Sequence, residues 1–210
     1  MIRYRRRFWV LAAALAALAG FVDSIAFIHL GGYFVSFMSG NSTRLGVGLS
    51  QAPEQALIAL GLIGAFVLGV ILGTLINRSG DRKGGAIVLA FVTAALGLAA
   101  LSGQTGAIAA AMALLAIAMG AENAVFLRDG EVSIGVTYMT GALVRMGQRI
   151  AGAFTGGPRW AWAPFLMLWL GLVCGASLGA LAFVQWGFAA IWLAAAAAGA
   201  LAVTRLYLRD

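Results

Sequence analysis

One cysteine, one histidine and three prolines are spread over 210 residues, and only 10% of the chain is charged. A single cysteine, Cys174, excludes an intrachain disulfide, and with one histidine, His29, it gives no material for a metal cluster. No phosphate loop, catalytic triad or metal-spacing motif occurs, so no cofactor is expected and the chain does not read as an enzyme. The shortage of charge is itself diagnostic, because a soluble domain carries roughly a quarter charged residues. Here 62% of residues are hydrophobic and the mean hydropathy is +0.97.

What is present in their place is apolar sequence of membrane-spanning length, about 20 residues per crossing. Ala, Leu and Gly dominate and no alternating barrel pattern occurs, so an all-α membrane protein is expected, with the lipid bilayer as its main partner. The net charge of +7 does not point to nucleic acid, since the basic residues sit mostly at the ends of apolar segments. The run Arg3, Arg5, Arg6 and Arg7 followed by an Ala/Leu stretch resembles a signal peptide. The apolar stretch continues to Ile28, however, longer than a signal core, so it reads as a retained first span.

A polar signature is written twice. Gly20-Phe21-Val22-Asp23 and Met38-Ser39-Gly40-Asn41-Ser42-Thr43-Arg44 are followed, 100 and 101 residues later, by Gly120-Ala121-Glu122-Asn123 and Met139-Thr140-Gly141-Ala142-Leu143-Val144-Arg145. One membrane domain made of two related halves, 1–104 and 105–210, is therefore expected. Apolar segments fall at 8–30, 33–50, 55–77 and 85–102, and again at 106–127, 133–155, 162–184 and 187–204. Gly69 and Gly73 in the third, and Gly171, Gly175 and Gly179 in the seventh, have the spacing of close helix packing, within one chain or across a homodimer.

The second and sixth segments are glycine-rich, polar and barely long enough to cross. Counting basic residues decides their topology. If all eight segments crossed from a cytoplasmic N-terminus, Arg78, Arg82, Lys83 and Arg128 would lie outside, against seven inside (Arg3, Arg5, Arg6, Arg7, Arg159, Arg205 and Arg209). If the second and sixth enter and return on one side, all eleven lie inside. The expectation is six full transmembrane helices plus two broken or re-entrant helical elements. Both termini are then cytoplasmic, in a bacterial inner membrane, and three crossings per half make the halves inverted-topology repeats.

Ionisable groups within spans are functional candidates. Asp23 is expected to pair with Arg44, and Glu122 and Asn123 to face Arg145 and Arg149; topology places Asp23 and Glu122 near opposite faces. Burial favours the neutral form of a carboxyl, which makes proton coupling an expectation. Ser39, Asn41, Ser42 and Thr43 form an N-cap cluster that, with Arg44, would suit an anionic solute. Thr140 holds the matching place in the second copy. The bland alternatives are that the charges are structural pairs and that the hydroxyls only cap the break. His29 and the tryptophans read as interfacial anchors, and Cys174 as a packing residue.

The Gly20–Gly46 stretch, with Asp23 and Met38-Ser39-Gly40-Asn41, resembles the signatures of the YoaK-like bacterial membrane proteins, and Gly120-Ala121-Glu122-Asn123 with Tyr138-Met139-Thr140-Gly141 is similar to their second signature. A glutamine commonly stands there where Glu122 stands here. The resemblance covers nearly the whole chain and implies a multi-pass membrane protein, sometimes labelled a small-molecule permease. The expected function is a permease or channel for a small solute, its path running between the halves. The alternative is a non-transporting scaffold or accessory subunit.

Overall fold

The computed structural model describes residues 6–78, 82–128, 131–132 and 134–208. Arg3, Arg5 and Arg209 of the charge count lie outside them. The described chain is helical: α1 (Arg6–His29), α2 (Met38–Gln51), α3 (Pro53–Ile76), α4 (Arg82–Gln104), α5 (Ile108–Glu122), α6 (Met139–Phe154), α7 (Ala163–Trp186) and α8 (Ile191–Tyr207). A 3-10 turn, Asn123–Phe126, extends α5, and two-residue strands β1 (Leu127–Arg128) and β2 (Glu131–Val132) pair antiparallel beyond it. The eight helices fall on the eight apolar segments read from the sequence.

Five stretches are long and apolar enough to cross a membrane: Arg7–His29, Pro53–Ile76, Lys83–Gln104, Ile108–Phe126 and Ala163–Tyr207. The last has 45 residues, about twice what one crossing needs. It is broken at Gly187, whose φ of +54° lies in the left-handed region, and a 3-10 turn there separates α7 from α8. With 14 and 16 residues, α2 and α6 are about 21 and 24 Å long, short of the roughly 30 Å hydrocarbon core. Pro53 opens α3 at a first-turn position, where its missing N–H costs nothing.

Glycines set how the helices meet. A Cβ on Gly171, Gly175 or Gly179 of α7 would overlap the carbonyl oxygen of Ala13, Ala17 or Phe21 of α1. These partners rise together along both chains, so α1 and α7 pack in parallel at backbone contact. In the same way Gly69 and Gly73 of α3 abut Ile117 and Ala121 of α5, which also run in parallel. The two contacts match residue for residue. Ala17 and Phe21 of α1 lie 100 residues before Ile117 and Ala121 of α5, and Gly69 and Gly73 lie 106 before Gly175 and Gly179. Gly20 meets Leu172 and Ala176, and Gly120 meets Phe66 and Val70, with the same two offsets.

α4 and α8 pack on one another in the opposite sense. Gly85 meets Arg205, Thr93 meets Gly199, Gly97 meets Trp192 and Gly103 meets Phe188, so the two run antiparallel. The ends of the bundle are thereby defined. At one, His29 packs edge-on against Phe183 and Phe188. At the other, the Arg205 guanidinium stands 5.7 Å from the Phe8 ring centre and the Asn77 amide donates to the Ala124 carbonyl at 2.7 Å.

The core is drawn mainly from α1, α4, α5 and α8, with Leu15, Val22, Ile25, Leu89, Val92, Leu96, Leu115, Met119 and Ile191 fully buried. The outward faces of α3 and α7 expose Leu57, Leu60, Val67, Leu68, Ile71, Leu75, Leu178, Leu181 and Val184. So broad an apolar surface is suited to lipid and not to water. Cys174, expected to pack, is exposed on α7.

Candidate functional site

Asp23 is a tether. Val35 and Ser36 N–H donate to its Oδ1 at 2.8 and 2.7 Å, and the Ser36 hydroxyl donates to Oδ2 at 2.5 Å. These bonds draw the irregular segment 31–37 back from the His29 end, about six residues along α1. The expected pairing of Asp23 with Arg44 does not form, because the backbone donors occupy the carboxyl. Arg44 stays on α2, its guanidinium 4.6 Å from the centre of the Tyr33 ring and beside Gly32. Gly32, at φ +104°, leaves both the turn and the space that the guanidinium takes.

The second half repeats the device with neutral groups. The Thr137 hydroxyl donates to Asn123 Oδ1 at 2.9 Å, while Asn123 Nδ2 donates to the Met119 carbonyl at 3.1 Å. Asn41, fully buried, clasps Phe34 in both directions: its amide donates to the Phe34 carbonyl at 2.6 Å and its oxygen accepts the Phe34 N–H at 3.0 Å.

The tethered segments bring two helix starts together. Ser36, Phe37, Met38 and Ser39 at the start of α2, with Thr137, Tyr138, Met139, Thr140 and Gly141 at the start of α6, line one cavity of about 300 Å³ together with Phe66 of α3. Neither helix is capped by a side chain, the cap positions being Phe37 and Tyr138. The Met38 and Met139 N–H groups donate to the Ser36 and Thr137 carbonyls at 3.2 and 3.0 Å, and the next two N–H groups of each first turn have no intrahelical acceptor, so both positive dipole ends are directed to this space. The expected N-cap cluster does not form: the Ser42 and Thr43 hydroxyls donate to the Met38 and Ser39 carbonyls one turn back.

Neighbouring cavities share walls with the central one. Toward the His29 end, a cavity of about 480 Å³ shares Ser36, Phe37, Thr137 and Met139 and adds Asp23, Ser24, Phe27 and Ile28. Along α6, a cavity of about 190 Å³ shares Tyr138 and Gly141 and adds Trp9, Phe165 and Arg145. A further one of about 450 Å³ shares Arg145 and Phe165 and is lined also by Gln148 and Arg149. Of the residues singled out in the sequence, Asp23, Ser39, Thr140 and Arg145 line this series; Asn41 and Asn123 hold its walls; Thr43 and Arg44 lie on α2 away from it.

Glu122 is fully buried, and among the described residues neither of its carboxyl oxygens has a hydrogen-bond partner. The expected approach to Arg145 therefore does not occur at hydrogen-bond distance. Asp23 lies toward the His29 end of α1 and Glu122 toward the Arg205 end of α5, and both are buried.

Residues 11–204 match the DUF1275 family, described as a protein of unknown function. The chain belongs to this family. Among relatives of this DUF1275 protein, the UPF0700 transmembrane protein RA0705 of Rhizobium meliloti (strain 1021) is 38% identical over 189 residues, covering 90% of this chain and 81% of the relative. The UPF0700 transmembrane protein YoaK of Bacillus subtilis (strain 168) is 28% identical over 153 residues, covering 68% and 67%. No solved structure matches. With these relatives and its apolar helices, the DUF1275 protein is a multi-pass membrane protein, as its YoaK-like signatures indicated. The site residues that sequence reasoning passed over are Ser36, Thr137 and Phe66. A signal for the first two was present, because Ser36 and Thr137 share the 101-residue offset of Met38 and Met139.

Proposed function

We propose that this protein is a small-solute permease of the bacterial inner membrane, its path running through the cavities between two inverted-topology repeats. The observation that carries the reading is the pair of uncapped helix starts, Met38 and Met139, facing one cavity from separate halves. Six crossings, α1, α3, α4, α5, α7 and α8, fit the parallel α1–α7 and α3–α5 contacts together with the antiparallel α4–α8 contact. On that path α2 leaves and returns at the His29 end, and α6 at the Arg205 end. Helices equivalent under the 100- and 106-residue offsets then point in opposite directions, as inverted repeats require. Arg7, Arg78, Lys83, Arg159 and Arg205 gather at one end, which the positive-inside rule makes cytoplasmic, with both termini.

The dipole ends, the Ser39 and Thr140 hydroxyls and Arg145 favour a solute bearing a carboxylate or another acceptor group. Uptake into liposomes holding the purified protein, over a panel of small carboxylates, amino acids, amines and polyols, tests this. Flux of one class is expected, falling at least tenfold in Arg145→Ala; no flux across the panel overturns it. A scaffold is the second reading, favoured by the full use of Asp23 and Asn41 in holding backbone. A stable co-purifying partner, with no flux by the protein alone, would support it.

A further inference from the structure

Glu122 departs from every other acid in the described interior. Asp23, 12 residues from its nearest donor in sequence, accepts three hydrogen bonds and is explained structurally by them. Glu122 has none: it is 0% exposed, and among the described residues both oxygens lack a partner. A carboxyl left so in a membrane interior is destabilising in either protonation state, because the ion lacks donors and the acid lacks an acceptor. Packing alone does not call for it, since α5 is otherwise Ala, Leu, Ile, Met and Gly120 at this depth and a leucine of similar size would fill the space.

We propose that Glu122 carries the proton of this protein's transport cycle. Its carboxylate takes a proton from water reached from one end of the bundle, forming an O–H bond. That bond breaks when the proton passes to water reached from the other end. The inference rests on the permease reading above and names its coupling ion. A proton requires one group only, whereas among the described residues no three His, Cys, Asp or Glu side chains stand close enough to hold a metal ion.

The geometry also supplies the link to the path. Asp23, on α1, is the other buried acid among the described residues, and α1 packs against α5, which carries Glu122. Asp23 holds Val35 and Ser36, and Ser36 lines both the central cavity and the one toward the His29 end. The wall of the path is thus held by an acid on the helix that packs against the one bearing Glu122. Among the described side chains on the other elements packed on α5, the titratable group of α3 is Glu54 in the first turn at the far end, and Lys83 at the inner end of α4 is exposed. Arg205 of α8 reaches Gly85 and the region of Val125, one turn inward from Glu122.

The test is pH-difference infrared spectroscopy of the full protein in liposomes, paired with proton uptake into liposomes loaded with a pH-sensitive dye. A carbonyl band of a protonated carboxyl without hydrogen bonds is expected to come and go with pH. It should be lost in Glu122→Gln and restored at a new position in Glu122→Asp, which also shows that the site still folds. A difference spectrum unchanged by Glu122→Gln overturns the proposal. With a transported solute, proton uptake is expected to fall at least tenfold in Glu122→Gln while downhill solute exchange persists; equal proton uptake overturns it. If no solute moves at all, the permease reading fails and the infrared result still decides whether Glu122 exchanges a proton.

Discussion

Ser36 stands to Asp23 as Thr137 stands to Asn123. In each half a hydroxyl just before a short helix donates to the side chain of a residue near the end of a long one, at 2.5 Å in the first half and 2.9 Å in the second. The first tether adds two backbone donors and uses a carboxyl; the second uses an amide. The same mechanical task is thus done by bonds of unequal strength, since hydrogen bonds to a charged group are worth about twice those between neutral ones.

Asp23→Ala is therefore expected to destabilise the protein by about 2–4 kcal/mol, since it orphans two N–H groups and a hydroxyl in the interior. Thr137→Val, which removes one neutral bond, should cost about 1 kcal/mol. Thermal unfolding of the detergent-purified variants measures both, and equal shifts would contradict the asymmetry of the tethers.

The glycine contacts make a steric prediction. Gly175→Val places its Cβ on the Ala17 carbonyl oxygen and should cost about 1–3 kcal/mol or abolish accumulation in the membrane. Gly64→Ala, on α3 with open space around it, should be neutral or slightly stabilising. Membrane yield and melting temperature separate the two.

Helix direction is open to cross-linking. Cysteines replacing Thr93 and Gly199, in a chain with Cys174→Ser, should form a disulfide on mild oxidation, because a Cβ at 199 lies 3.6 Å from the Thr93 methyl. Gly103→Cys with Gly199→Cys should not, since Gly103 abuts Phe188. The reverse outcome would place α4 and α8 in parallel and remove the support for inverted repeats.

The two arginines of the repeated signature should behave differently. Arg145 lines two cavities, whereas Arg44 lies on the Tyr33 ring. In the liposome uptake assay Arg145→Ala is expected to lower flux at least tenfold and Arg44→Ala less than threefold. A larger loss from Arg44 would move the path to the outer face of α2.

Much of this was legible because apolar length and glycine spacing are local properties: eight helical segments and the close-packing roles of Gly69, Gly73, Gly171, Gly175 and Gly179 follow from them. The partners of the polar residues were not. Asp23 was matched with Arg44 on charge, yet its donors are backbone N–H groups that any residues at 35 and 36 would carry. The burial of Asp23 and Glu122 depends on α1 and α5 meeting other helices, which no spacing within either one reveals. Thr137 was legible only through the repeat, as the counterpart of Ser36.

The parallel seating of α1 on α7 bears on how the protein is made. About 130 residues separate the end of α1 from the start of α7, so at roughly 5–20 residues per second the first helix waits on the order of ten seconds or more for its partner. Its glycine-facing stripe, Ala13, Ala17 and Phe21, meanwhile lies against lipid or an insertion factor. A helix made early is thus completed by one made late, and α1 without α7 would leave that stripe unpacked.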